Sequence, residues 1–290
     1  MKHYGCFRFA IRRFYSAFGA LGLMFIFASS AYAGNEEKVF GALSAAVKSG
    51  QRTEAFILRD DARRPTQTLA FFDVQPQHHV VEIWPGAGWY TEILAPYLMA
   101  QGQFYAAHFP SNSSVSYFNR ARAKYLDKLA ASPELYSEVQ TTAFYPPESA
   151  PSAPASSVDR VLTFRNVHNW LKGGYAPAAF AEFFRVLKPG GILGVVEHRA
   201  PAGTSVEKMI SSGYMSEAKV IELAEAAGFH VLASSEINAN PRDNADHPEG
   251  VWSLPPSLRL GEQDREKYVA IGESDRMTLT FSKPSLPARP

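Results

Sequence analysis

The sequence predicts an α/β fold, with a mostly parallel β-sheet covered by helices on both faces. Runs of strand length and runs of helix length alternate from about residue 80 to residue 282, an order typical of such sheets. A glycine turn follows the first strand of this series, and the chain contains no internal repeat. Parallel sheets of this kind bind ligands at the carboxyl ends of their strands, so we expect the functional side chains there.

Seven segments have the composition of strands, and they cover residues 80–83, 103–107, 139–144, 158–164, 192–197, 231–237 and 276–281. The spacing of apolar residues predicts helices over 37–49, about 65–72, from the glycine turn to about residue 99, and over 114–130, 176–187 and 216–228. Pro65 suits a first helical turn, Ser216 suits an N-cap and Gly228 suits a helix end.

The first 33 residues have the pattern of a secretory signal. Basic residues precede an uncharged, largely apolar stretch, and Ala31-Tyr32-Ala33 ends it with small residues at the two positions that a signal peptidase reads. This pattern predicts cleavage after Ala33 and a periplasmic or secreted protein. An uncleaved membrane anchor is the alternative, because about 17 to 25 apolar residues can span a bilayer.

Residues 34–290 are expected to form a single domain, with N-terminal helices within residues 34–72. Residues 146–157 are rich in Pro, Ser and Ala, which predicts a flexible surface insertion. The long segment 238–275 carries several aromatic and charged residues, which favours a lid or substrate loop over a disordered connection.

Composition excludes several classes of function. Removal of residues 1–33 takes away four of the 29 basic side chains and none of the 28 acidic ones, which leaves a net charge of 25 − 28 = −3. A mildly acidic chain has no electrostatic footprint for nucleic acid or for anionic lipid. The only cysteine, Cys6, lies in the signal, so the mature chain has no disulfide and no thiolate ligand or nucleophile.

Two motifs carry a resemblance to a known family. Residues 80–91 read VVEIWPGAGWYT, a strand with an acidic residue followed by a glycine turn. Residues 183–191 read FFRVLKPGG and lead into an apolar strand. Together with VDRVLTFRN between them, these segments resemble class I S-adenosylmethionine-dependent methyltransferases over about residues 66–282. EIWPGAGWYTEILAP, FRNVHNW and GESDRM are similar, more narrowly, to a bacterial group of predicted, often exported methyltransferases.

The resemblance implies a Rossmann-like, doubly wound sheet of about seven strands, mostly parallel and with a C-terminal antiparallel hairpin. It also implies that S-adenosylmethionine is the cofactor. The residues implied in cofactor binding are Glu82, Trp84, Gly86, Gly88, Tyr90 and His108. Glu82 would complement the charge of this cationic ligand. The aromatic residues would wall the adenosyl pocket or belong to the core.

His108 departs from the pattern of the resembled family. The family usually has a carboxylate at the end of the second strand, where it holds both ribose hydroxyls, and His108 stands at that place. A histidine can accept only one hydrogen bond, so weak cofactor binding or a changed ligand is expected. Thr91, in place of a third glycine, disfavours a nicotinamide oxidoreductase.

Polar residues that follow the fourth and fifth strands are the candidates for catalysis: His168, Asn166, Glu197 and His198. The methyl acceptor generally sits at this place in the resembled family, and either histidine would serve as a base near neutral pH. Alternatively, these side chains bond the loop backbone and fix the strand ends. A metal site that adds His247 and Asp243 to the two histidines is conceivable, but the spacing matches no ligand motif, and no metal is predicted.

Two hypotheses about function follow. The first is a methyltransferase that acts on a small molecule in the cell envelope. The second is a non-catalytic periplasmic ligand-binding protein on the same fold, because the cofactor is made in the cytoplasm whereas the signal exports the chain. Under both hypotheses the partner is a small molecule rather than nucleic acid. The protein would associate with the membrane only through an uncleaved signal peptide.

Overall fold

The computed structural model describes residues 37–146 and 152–285. The predicted signal peptide, residues 1–33, lies outside the described residues, and so do residues 147–151 of the predicted insertion. Within the two described ranges, no helix is both long and apolar enough to cross a bilayer.

A seven-stranded sheet organises the chain. Its strands are β1 (His79–Ile83), β2 (Gln103–His108), β3 (Gln140–Ala143), β4 (Val158–Phe164), β5 (Leu187–His198), β6 (His230–Ser235) and β7 (Arg276–Ser282). They lie in the order β3-β2-β1-β4-β5-β7-β6. Strands β1 to β5 pair in parallel, whereas β7 runs antiparallel to both β5 and β6. The predicted fold class is therefore confirmed, including the antiparallel C-terminal pair.

Helices precede the sheet and connect its strands. They are α1 (residues 37–47), α2 (Glu54–Ile57), α3 (Asp60–Arg63), α4 (Pro65–Phe71), α5 (Thr91–Leu98), α6 (Ser116–Ala131), α7 (Pro133–Tyr136), α8 (Val167–Lys172), α9 (Ala176–Val186), α10 (Val206–Ser212), α11 (Glu217–Ala226) and α12 (Arg265–Ile271). A short 3-10 helix covers Gly250–Ser253. Ser216 caps α11 as predicted, since its side chain accepts a hydrogen bond from the amide of Lys219.

Burial along the strands follows from their places in the sheet. In β1, Val80, Val81 and Ile83 are completely buried, because helices cover both faces of a central parallel strand. In the edge strand β6, by contrast, Val231 and Leu232 are exposed. This difference in burial between central and edge strands explains why the central strands have nearly continuous apolar sequences.

A glycine in β5 brings the N-terminal helices onto the sheet. A Cβ atom at Gly194 would lie 2.7 Å from the ring of Phe72, which is completely buried directly after α4. Because real Cβ contacts are not that short, only glycine permits this approach. The contact holds α4 against the sheet, close to the helices α2 and α3 that reach the functional site.

Two boundaries differ from the sequence-based expectation. Strand β5 begins at Leu187 rather than near residue 192, because Leu187 pairs with Val158 ahead of a register shift. The predicted surface insertion is also partly wrong, since Ser152 and Ala153 are buried. The amide and the hydroxyl of Ser152 both donate to Glu182, at 2.7 and 2.9 Å, which ties this end of the segment to α9.

Candidate functional site

A cleft of about 310 Å³ opens at the carboxyl ends of β1, β4 and β5. The strand order reverses between β1 and β4, the point at which doubly wound sheets bind ligands. The lining comes from α2 and α3, from the turn after β1, from the ends of β4 and β5, and from parts of the segment 251–274. The predicted lid segment therefore borders the cleft, and the volume lies at the lower end of the range for small-molecule sites.

The two glycines of the turn after β1 do different things. Gly86 has a φ of +60°, and a Cβ atom there would meet nothing within 4 Å, so the turn is open towards the cleft at this residue. Gly88 has a φ of +84°, and a Cβ atom there would lie 3.2 Å from the ring of Tyr125 in α6. Only Gly86 is thus placed to face a ligand, whereas Gly88 permits packing against α6.

Aromatic side chains wall the turn on both sides. Trp84 has a φ of +51°, which is strained for a bulky residue, and its indole nitrogen donates to the carbonyl of Phe144 at 2.8 Å. Its ring packs against Phe109, with the ring centres 4.7 Å apart. Tyr90 stacks on Phe164 with ring centres 3.6 Å apart. Trp84 and Tyr90 both line the cleft and also belong to the core.

Glu82 is a buried carboxyl group at the floor of the cleft. It is 3% exposed, and its only hydrogen bond within the described residues is a long one, 3.3 Å, from the hydroxyl of Thr91. Burial raises the pKa of Glu82 to about 8, against smaller opposing effects of Thr91 and Arg63. The group is therefore mostly protonated at neutral pH. It gains a charge at higher pH or when a cation lies beside it.

His108 lies behind the glycine turn and not in the cleft lining. Its Nδ1 accepts a hydrogen bond of 2.7 Å from the amide of Phe109, so the ring proton must sit on Nε2. That nitrogen then donates to the carbonyl of Gly86 at 3.1 Å. Burial lowers the pKa of His108 to about 4, which keeps the ring neutral. Both nitrogens are thus bonded to backbone, and the ring holds the turn in place.

His168, Glu197 and His198 come together at the ends of β4 and β5, as the sequence predicts. Glu197 is completely buried and accepts hydrogen bonds from the amides of Val167 and His198, at 2.6 and 2.8 Å. Its Oε1 also lies 3.2 Å from Nδ1 of His168. The carboxylate therefore caps the start of α8 and at the same time orients the His168 ring.

His198 and Asn166 are more firmly tied to the protein. Nδ1 of His198 lies 2.5 Å from the hydroxyl of Ser274, and burial, followed by the charges of His168 and Arg165, keeps the pKa of His198 well below its usual range. The amide of Asn166 donates to the carbonyl of Ile83 at 2.9 Å and so joins the ends of β1 and β4. Both residues line the cleft. Nε2 of His198 and Nε2 of His168 have no hydrogen-bond partner among the described residues.

The residues that could hold a metal ion differ from those considered in the sequence. The ligand atoms of His168, Glu197 and His198 all lie within 4.8 Å of one another, a grouping that could hold a metal ion. Asp243 and His247 are not part of this group and instead form a pair 2.8 Å apart. The oxygens of Glu197 already accept hydrogen bonds from two backbone amides at 2.6 and 2.8 Å, which favours a capping role.

Sequence reasoning missed a cluster of arginines beside the cleft. Glu273 lies 2.6 Å from Arg59, 3.4 Å from Arg63 and 3.3 Å from Arg276. Burial alone would raise the pKa of Glu273, but Arg63 and Arg276 outweigh it and lower that pKa to about 2. Arg165 lies in the same cleft and was quoted in the sequence only as part of a motif. Arg59 and Arg63 are 214 and 210 positions from Glu273 in the sequence, so no local pattern connects them to it.

Comparisons with known proteins bear on the fold. A comparison with protein-family models finds no match, and a comparison with curated protein sequences finds none either. Among solved structures, the chain is similar to a SAM-dependent methyltransferase from Aquifex aeolicus, with 17% identity, a TM-score of 0.52, and coverage of 78% of this chain and 92% of that one. It is also similar to the 4+2 cyclase SpnF, with 19% identity, a TM-score of 0.53, and coverage of 82% and 85%.

A third similar structure is phosphoethanolamine N-methyltransferase 2 from Haemonchus contortus in complex with S-adenosyl-L-methionine, with 16% identity, a TM-score of 0.51, and coverage of 76% of this chain and 52% of that one. At these identities the likeness shows a shared fold, the Rossmann-like fold of methyltransferases. The cyclase among these structures illustrates that one fold hosts more than one chemistry.

Proposed function

We propose that the protein is an S-adenosylmethionine-dependent methyltransferase that acts on a small molecule. The observation that carries the proposal is the open glycine turn at Gly86, which faces a cleft with the buried Glu82 at its floor. The shared methyltransferase fold supports it, because this cleft lies at the carboxyl ends of the same sheet.

The residues around the turn fit the amino-acid end of the cofactor. S-adenosylmethionine carries a sulfonium, an ammonium and a carboxylate. Glu82 has no cationic partner within hydrogen-bond distance among the described residues, and a ligand ammonium would supply one. The open space beside Gly86 admits a ligand close to the backbone. The end of the second strand offers no free side-chain group to the ribose of the cofactor, because both ring nitrogens of His108 are bonded to backbone groups.

The bound cofactor would supply a methyl group on a positively charged sulfur, and the protein would orient the acceptor for an in-line displacement. The ring of His168 is the group suited to take a proton from the acceptor. With Nδ1 donating to the buried Glu197, the lone pair of this ring lies on Nε2. Burial and the nearby charges of His168 and Arg165 disfavour the protonated form of His198 by lowering its pKa, so His198 is less suited to take the proton and, with Nδ1 bonded to Ser274, more suited to positioning.

A second function, ligand binding without catalysis, is favoured by His108. In the resembled family the end of the second strand contacts the ribose, whereas here it supports the glycine turn from behind. A protein that keeps the cleft but has lost that contact would hold a different small molecule.

Titration calorimetry with S-adenosylmethionine and with its demethylated product tests the first function. Binding in the micromolar range, about −8 kcal/mol, would support it. Folded protein that gives no heat with either ligand at several temperatures would contradict it and leave the binding protein as the better account. Glu82→Gln should weaken the interaction with both ligands, while the exposed Glu225→Gln serves as the matched control and should not.

We further propose that the protein acts in the periplasm or outside the cell. The basic start, the apolar stretch and Ala31-Tyr32-Ala33 support this proposal. Mass spectrometry of the intact protein from a periplasmic or culture fraction should find a chain that begins at Gly34. A full-length chain in the membrane fraction would indicate an anchor instead.

A further inference from the structure

The arginine cluster beside the cleft has more positive charge than the protein neutralises. Four guanidinium groups, those of Arg59, Arg63, Arg165 and Arg276, surround the single carboxylate of Glu273. Arg165 makes none of the ion pairs or side-chain hydrogen bonds found among the described residues, although it lines the cleft. Burial followed by the charge of Arg276 lowers the pKa of Arg165 to about 10, so the group stays protonated at neutral pH.

Several nitrogens of this cluster are buried without a hydrogen-bond partner among the described residues. They include Nη2 of Arg59 and Nη2 of Arg63, and Arg63 is only 3% exposed. A buried donor that makes no hydrogen bond costs about 1 to 3 kcal/mol, and more when it is charged. The side chain of Arg63 packs over the ring of Trp89 at 4.7 Å, which holds the guanidinium at the cleft wall. The donors are therefore fixed in place before any ligand arrives.

The backbone at Arg165 is strained in a way that places this side chain in the cleft. Its φ is +63°, in the left-handed region that a long side chain rarely adopts. Such a conformation costs of the order of 1 to 3 kcal/mol and persists only where the surrounding structure holds it. The amide of Arg165 donates to the carbonyl of Val196 at 2.7 Å, which fixes the residue between β4 and β5.

The neighbouring titratable groups do not supply the missing negative charge. Glu82 is largely protonated at neutral pH, and the rings of His168 and His198 carry no negative charge in either protonation state. Glu197 is already bonded to the start of α8 and to His168. A ligand is then the remaining source of negative charge, and planar guanidinium groups match the two-oxygen geometry of carboxylate and phosphate.

We propose that this part of the cleft recognises the carboxylate or phosphate group of a small anionic molecule, through Arg165 together with Arg63 and Arg59. The assignment of this molecule as the methyl acceptor rests on the proposed function. Recognition of the anion itself does not, since it would hold equally for a binding protein.

The test is a calorimetric titration of the protein with inorganic phosphate and with acetate, at constant ionic strength balanced with chloride. The variant is Arg165→Asn, because asparagine tolerates the left-handed backbone and no hydrogen bond of the arginine side chain is lost among the described residues. The matched control is Arg64→Asn, which removes the same charge at a φ of +41° from an exposed residue that does not line the cleft.

We expect at least one of the two anions to bind, and Arg165→Asn to weaken its binding about tenfold or more. Arg64→Asn should change it by no more than about twofold. Preference for phosphate would identify a phosphorylated ligand, and preference for acetate a carboxylic acid. The proposal is overturned if neither anion binds to folded wild-type protein, or if the two variants weaken binding equally.

A parallel titration with the demethylated cofactor separates this proposal from the proposed function. If the demethylated cofactor binds equally well with and without saturating anion, the anion occupies the acceptor part of the cleft. If the two ligands displace each other, the arginines hold the cofactor carboxylate, and the assignment to the acceptor is wrong. If the cofactor fails to bind while the anion binds through Arg165, the proposed function fails and anion recognition stands.

Discussion

Replacement of Glu82 by glutamine is expected to stabilise the protein at pH 8 and to change little at pH 5. The folded protein raises the pKa of this carboxyl from 4.5 to about 8, and the side chain is 3% exposed. The unfolded chain therefore releases the proton near pH 4.5, whereas the folded chain keeps it until about pH 8. The contribution of Glu82 to stability is fully present below pH 4.5 and is lost as the pH rises towards 8.

The size of the effect follows from linkage. Each pH unit between the two pKa values corresponds to about 1.4 kcal/mol. The wild-type protein should therefore lose about 3 to 4 kcal/mol relative to the variant between pH 5 and pH 8. Glutamine is close to glutamate in shape, and its carbonyl oxygen can accept the hydrogen bond from Thr91. The change therefore removes the titration and leaves the packing in place.

Urea unfolding at pH 5, 6, 7 and 8 measures the difference in the free energy of unfolding. The exposed Glu225→Gln is the control and should follow the wild-type protein within about 0.5 kcal/mol at every pH. If Glu82→Gln has the same pH dependence as the wild-type protein, Glu82 is ionised in the folded state. The reasoning about its missing partner would then be refuted.

Three further variants test other parts of the site. His168→Gln should keep the fold and lower methyl transfer by about 100-fold or more, because the base is lost; equal turnover in a discontinuous product assay would exclude His168 as the base. His108→Leu should lower the free energy of unfolding by about 2 to 4 kcal/mol, since the amide of Phe109 and the carbonyl of Gly86 both lose a buried partner; wild-type stability in urea would contradict the bonding described. Trp84→Ala should cost about 3 kcal/mol or more in the same assay, despite relief at its φ of +51°; a smaller cost would mean that the aromatic packing contributes little.

The sheet could be predicted from the sequence because each of its elements is local. Val80, Val81 and Ile83 form an apolar run that only Glu82 interrupts, and that run indicates a buried central strand. The early start of β5 could not be predicted, since it depends on pairing between Leu187 and Val158 across the sheet. The burial of Ser152 likewise depends on the position of Glu182 in α9, which composition does not reveal.

In the candidate site, too, the residues placed by strand topology could be predicted, whereas those placed by long-range contacts could not. His168, Glu197 and His198 follow neighbouring strands, so topology alone brings them together. The direction of His108 was not predictable, because its bonds to Phe109 and Gly86 depend on how the glycine turn folds back over the end of β2. The arginine cluster was hidden for another reason: Arg59 and Glu273 are 214 positions apart, and their contact exists only once the sheet is assembled.

The double attachment of Glu197 couples two properties that are usually independent. Since one carboxylate both receives the first amide of α8 and sets the angle of the His168 ring, the helix cannot fray at its start without turning that ring. An aspartate at this position would be one methylene too short to reach both partners. Substitutions in α8 that touch no ligand should therefore alter proton transfer, because they act on the angle of the His168 ring through the start of the helix.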